Sequence, residues 1–71
     1  MKLVNRIRVL RAEKEISQKE LAYEIGVSRQ TVNSIEKGKF NPSVITALRM
    51  ARYFGVGVES VFEIKEDECD W

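Results

Sequence analysis

Between Ser17 and Gly38 the sequence SQKELAYEIGVSRQTVNSIEKG holds two short amphipathic helices with almost nothing between them. That spacing restricts the chain more than any other feature. Ser17 with Glu20 three residues on forms a capping box, in which the hydroxyl takes the N–H of residue 20 and the carboxylate reaches back. Leu21, Ala22 and Ile25 give the first helix one apolar face. Gly26 supplies the left-handed residue that ends it. Only Val27 separates this stop from Ser28, the expected cap of a second helix. Val32 and Ile35 turn that helix inward, and Gly38 stops it. Two helices joined by three or four residues meet at a steep angle, as a helix-turn-helix does.

The opposite face of the second helix carries Arg29, Gln30, Asn33 and Ser34. These side chains offer the donors and acceptors that pair with base edges in a major groove. A solvated polar face on a plain helical hairpin would have the same composition. The one-residue spacer, the two caps and the basic residues just beyond Gly38 favour the groove-reading alternative.

Seventy-one residues make one small domain, marginal for a single core. One cysteine permits no internal disulfide, and the absence of histidine argues against a metal staple. Helix packing or oligomerisation must then supply stability. No apolar run approaches the ~20 residues of a membrane span, and no signal-peptide pattern opens the sequence, so a cytoplasmic protein is expected.

The net charge of +1 conceals an asymmetry. Residues 1–58 hold eleven Lys and Arg against five acids, whereas residues 59–71 hold Lys65 against six acids. Polyanion binding depends on the field of the basic body and not on the overall charge.

Flanking segments complete a helical pattern. Asn5 is placed to cap a first helix with Ile7 and Leu10 inward and Val9 at the margin. Ile16 precedes the Ser17 cap and is placed to staple onto Leu21. After Asn41-Pro42, Ser43 is the expected cap of a fourth helix, whose stripe Val44, Ala47, Leu48, Ala51 and Phe54 is expected in the core. Gly55 ends it. Glu59–Phe62 suits one last helical turn, and Phe62–Lys65 alternates as a brief strand does. We expect a domain over 1–66 and an acidic tail over 67–71.

The run SQKELAYEIGVSRQTVNSIEKGKFNPS resembles the helix-turn-helix of the Cro and cI-type repressors, the xenobiotic-response-element family, over about Asn5 to Phe62. The short format is similar to stand-alone members such as the cytolysin-operon repressor. The resemblance implies an all-α, five-helix, lambda-repressor-like fold, with Lys2–Val4 beside Phe62–Lys65 as a small antiparallel sheet. It places base contacts on Ser28, Arg29, Gln30, Asn33 and Ser34. Phosphate contacts fall on Gln18, Lys37, Lys39 and Asn41, with the helix amides at Gln18 favouring an anion. It also sets Arg11 opposite Glu36 as a buried ion pair. One departure is Gly57, where relatives often carry a capping serine or threonine.

The expected function is that of a sequence-specific regulator of transcription, bound to double-stranded DNA as a homodimeric repressor on a near-palindromic operator. The expected dimer interface is Val56, Val58, Val61, Phe62 and Ile64, more apolar surface than a last turn and a short strand can hide alone. An alternative is an antitoxin or restriction-modification controller whose acidic tail holds a partner protein. An enzyme is not expected: there is no histidine, no metal-ligand cluster and no glycine-rich phosphate loop, and the core is too small to enclose a substrate. No cofactor or metal is expected.

Overall fold

Three serines each start a helix in the computed structural model, which describes residues 2–66. Ser17 Oγ accepts the Glu20 N–H at 3.0 Å and opens α2 (Gln18–Ile25). Ser28 Oγ accepts the Thr31 N–H at 3.0 Å and opens α3 (Arg29–Glu36). Ser43 Oγ accepts the Thr46 N–H at 3.1 Å and opens α4 (Val44–Phe54). Each bond satisfies one of the first-turn amides that a helix leaves without an internal partner.

The first helix, α1 (Ile7–Lys14), starts differently: Arg6 stands at its cap without a side-chain bond, and Asn5 Oδ1 accepts the Ile7 N–H at 3.1 Å. It ends on Glu15 at φ 58°, a left-handed residue without the glycine that usually marks one. The last helix, α5 (Val58–Val61), lies one residue earlier than Glu59–Phe62 because Phe62 already has extended backbone. Gly57 precedes it and makes no side-chain cap.

Two strands close the chain ends. The first, β1 (Lys2–Asn5), pairs antiparallel with β2 (Phe62–Lys65), in register from Lys2 opposite Lys65 to Asn5 opposite Phe62. Five helices and this ribbon make up the expected fold.

The core draws on every helix: Ile7 and Leu10, then Leu21, Ala22 and Ile25, then Val32 and Ile35, then Met50 and Ala51, with Val61 and Phe62 closing it. Ile16 packs against its edge. Two sequence expectations need correction here. The buried face of α4 is Met50 and Ala51 flanked by half-buried Ala47 and Phe54. Val44 is 74% exposed and Leu48 54% exposed, with Ile45 beside them at 65%. Eight of the eleven α4 residues are apolar, so two stripes compete at the same spacing and periodicity alone does not choose between them. Likewise Val61 and Phe62 are buried in the protomer itself and are not free to form a dimer interface. Half-buried Val56 and Val58 and exposed Ile64 are what remains of that set. The expected acidic tail, 67–71, lies outside the described residues. Among the described residues no helix is long and apolar enough to cross a membrane.

Candidate nucleic-acid interface

The turn between α2 and α3 is Gly26-Val27-Ser28. Gly26 has φ 77°, and a Cβ built there would stand 3.2 Å from the Arg49 guanidinium, which donates to the Ile25 carbonyl at 3.3 Å. The left-handed backbone is what requires glycine at this point, since the guanidinium is the far end of a flexible side chain. Val27 packs against the core edge and ties the turn down. With Val32 fully buried and Ile35 nearly so, α3 is fixed in rotation, and its opposite face is held outward.

On that outer face Arg29 and Gln30 are exposed, while Asn33 and Ser34 are half-buried. Gln18, Arg29, Gln30 and Asn33 line one surface hollow. Ser28, Gln30, Thr31, Ser34, Lys39 and Phe40 line another, so Gln30 forms the ridge between them. Ser28 Oγ is spent on its cap and on the Thr31 hydroxyl, 2.8 Å away. Lys37, Lys39 and Asn41 follow α3 as an exposed basic and polar loop. A third hollow, lined by Arg11, Ser17, Gln18, Lys19 and Arg29, sits at the start of α2, where free amides and cations together favour an anion.

Behind this face runs a polar network. Arg11 Nε donates to Glu36 Oε2 at 2.6 Å and its second terminal nitrogen donates to Oε1 at 3.2 Å, a fork that meets both carboxylate oxygens. The Arg11 side chain is 16% exposed and that of Glu36 8%. A remaining Arg11 nitrogen donates to the Ile16 carbonyl at 3.1 Å, anchoring the link between α1 and α2. Gln18 Nε2 donates to Glu36 Oε1 at 3.2 Å and to Asn33 Oδ1 at 3.1 Å. Both Nε2 hydrogens are thereby used, and the backbone N–H of Gln18 is the donor left for an anion.

Two features of this region lie outside the sequence reading: a tie from Asn5 to α3 and the lining of the hollow beside Gln30. Asn5 Nδ2 donates to the Ile35 carbonyl at 3.0 Å, tying the end of β1 to the last turn of α3. Thr31 and Phe40 line the hollow beside Gln30. The first depends on a contact thirty residues apart, which no local spacing announces; the second had a signal, since Phe40 is a large aromatic in a polar loop. Among the described residues no cluster of His, Cys, Asp or Glu could hold a metal ion.

Known proteins resemble this chain in sequence and fold. The helix-turn-helix family model HTH_3 matches residues 7–61. An HTH-type transcriptional regulator of Methanocaldococcus jannaschii is 44% identical over 64 residues, 90% of this chain and 97% of that protein. The cryptic phage CTXphi transcriptional repressor RstR of Vibrio cholerae is 33% identical over 93% of this chain and 60% of its own length. The crystal structure of the restriction-modification controller protein C.AhdI from Aeromonas hydrophila superposes with a TM-score of 0.71 at 31% identity, over 76% of this chain and 82% of that one. The chain therefore belongs to the xenobiotic-response-element class of helix-turn-helix transcriptional regulators, a family that binds double-stranded DNA and does not do enzyme chemistry.

Proposed function

We propose that the protein is a sequence-specific repressor that inserts α3 into the major groove of a near-palindromic operator as a homodimer. The observation that carries this reading is the outward face of α3, where Arg29, Gln30, Asn33 and Ser34 stand opposite a buried Val32–Ile35 edge. Arg29 has the reach and the fork to pair with guanine O6 and N7, and Gln30 the carboxamide to read adenine. Ser28, its Oγ engaged in the cap, marks the end of the helix that approaches the base edges. Lys37, Lys39 and Asn41, with the Gln18 backbone N–H, set register on the phosphates.

The dimer surface is drawn from the apolar residues that one protomer leaves uncovered. We assign it to Val44, Ile45 and Leu48 of α4, together with Val56 and Val58 leading into α5, which packs on α4. Ile64 on β2 is the remaining exposed member of the original set. A two-fold axis there leaves the two α3 helices to face half-sites about 34 Å apart, one turn of B-DNA.

Selection of bound sites from a random DNA pool, followed by titration of two variants, tests the reading. Arg29→Ala should cost ~1–3 kcal/mol at one base pair and relax preference there. Lys39→Ala should weaken all sequences alike and lower the salt slope by about one unit. Equal losses on cognate and random DNA for both variants would remove α3 from the groove.

A second reading is an antitoxin or restriction-modification controller; the likeness to a controller bears on its class, and the acidic end of the chain is what would hold a partner protein. Removing residues 66–71 would then leave operator binding intact and abolish partner capture.

A further inference from the structure

Of the four polar residues on the outer face of α3, Asn33 alone has a side-chain oxygen held from behind by another helix. Its Oδ1 accepts from Gln18 Nε2 at 3.1 Å, and the same nitrogen donates to Glu36 Oε1 at 3.2 Å. Neither end of this chain of bonds is free to reverse. Glu36 lies in the fork of Arg11, so it is an ionised carboxylate and accepts only. The Gln18 atom that meets it must therefore be the amide nitrogen. That nitrogen also faces Asn33, so the Asn33 atom opposite must be the carbonyl oxygen. The Asn33 nitrogen then occupies the other edge of its carboxamide.

An asparagine carboxamide turns easily about its last torsion, and its two orientations present donor and acceptor in opposite order. Base pairs in the major groove differ in that order. We infer that Glu36, acting through Gln18, is a positioning residue for base specificity: it locks the donor–acceptor polarity of Asn33 before DNA arrives. Arg11 anchors the lock, since its fork on both carboxylate oxygens holds Glu36 where Gln18 meets it. The consequence is selectivity without a contact, because Glu36 lies at the last turn of α3 with its carboxylate turned to Arg11 and Gln18.

This inference rests on the proposed entry of α3 into the groove, and the test separates the two. Glu36→Gln keeps the shape of residue 36 but gives it an amide that satisfies Gln18 in either orientation. Gln18→Met removes the relay and leaves Glu36 with Arg11. Sites selected from a random pool by the wild type, by Asn33→Ala and by these two variants would be compared, with circular dichroism establishing that each is folded at the temperature used. Asn33→Ala identifies the base-pair column that Asn33 reads. In Glu36→Gln and in Gln18→Met discrimination at that column should fall by about tenfold, the scale of one well-formed bidentate pair. The columns read by Arg29 and Gln30 should keep theirs.

An unchanged Asn33 column in either variant would overturn the inference. So would an equal loss across all columns, which would make the pair merely structural. A wild-type motif with no column sensitive to Asn33→Ala would overturn it and leave α3 in the groove. A wild type that enriches no motif would overturn the DNA reading as well.

Discussion

The outer faces of α3 and α4 are opposites. On α3 the exposed side chains are polar, and several polar groups there are held by partners: the cap Ser28 by Thr31, half-buried Asn33 by Gln18 and Glu36 by Arg11. On α4 the exposed side chains include Val44, Ile45 and Leu48, apolar groups that no described element covers. A polar surface with fixed partners is arranged to meet something ordered and polar at little entropic cost. A run of uncovered apolar side chains has its driving force still unspent, and a second protein surface is what releases it. In the proposed dimer, that surface is α4 of a second copy, which adds to what one small core can supply.

If the two faces divide the work in this way, substitutions just below them should fail by different routes. The largest effect belongs to Val61→Glu. Val61 is 1% exposed, and a carboxylate placed there is cut off from water. Against the ~5 kcal/mol or so that stabilises a domain of this size, that substitution should unfold the protein. Circular dichroism should show loss of helix, and DNA binding should vanish with it. A folded Val61→Glu monomer would restore Val61 to the dimer interface.

Next comes Glu36→Ala, which strips the partner from a guanidinium that is 16% exposed. Breaking a buried pair on one side costs ~3–5 kcal/mol, more than the intact pair contributes. Denaturant titration giving less than ~1 kcal/mol would mean that Arg11 finds water in place of Glu36. The Ile16 carbonyl and Gln18 would also lose order, so the damage should spread to the start of α2.

Leu48→Glu should do the reverse of Val61→Glu. Leu48 is 54% exposed in the protomer, so the change in monomer stability should stay within about 0.5 kcal/mol. Sedimentation should nevertheless show monomers where the wild type sediments as a dimer, with operator affinity falling sharply. A Leu48→Glu dimer of wild-type strength would move the interface off α4.

Much of this arrangement could be read from local chemistry. Ser17, Ser28 and Ser43 announce helix starts because a hydroxyl and the amide it caps are three residues apart. Gly26, Gly38 and Gly55 announce stops because each takes a positive φ. The ribbon is less legible: Lys2–Asn5 is short, its partner lies sixty residues on, and only the family resemblance placed the two together. The phase of α4 is harder to read: its polar stripe Thr46, Arg49 and Arg52 is narrow, and the eight apolar residues spread over more of the helix than one core face can bury. Gln18 drew attention as a helix-start residue, but its bonds to Asn33 and Glu36 join positions fifteen and eighteen apart, and sequence spacing carries no trace of them.

The smallest expected effect concerns Gly57, where the C-terminal helix starts without a side-chain cap. Its backbone, at φ −72° and ψ 154°, is one that serine adopts freely, and it matches the extended geometry of the three capping serines. A Cβ there would come within 2.8 Å of the Glu59 carboxylate, the far end of a flexible and exposed side chain that has room to turn away. Gly57→Ser therefore meets no backbone obstacle. It should stabilise the fold by ~0.5–1 kcal/mol, through lower entropy of the unfolded chain and a bond from its Oγ to the Ser60 N–H. That amide already meets the Gly57 carbonyl at 2.9 Å, so the added bond is shared and the gain belongs at the lower end. Thermal unfolding should show a rise of a few degrees, with unchanged base preference, because Gly57 lies outside the reading face. A fall in stability would mean that Glu59 is held where it stands, and that glycine is kept at this position for space.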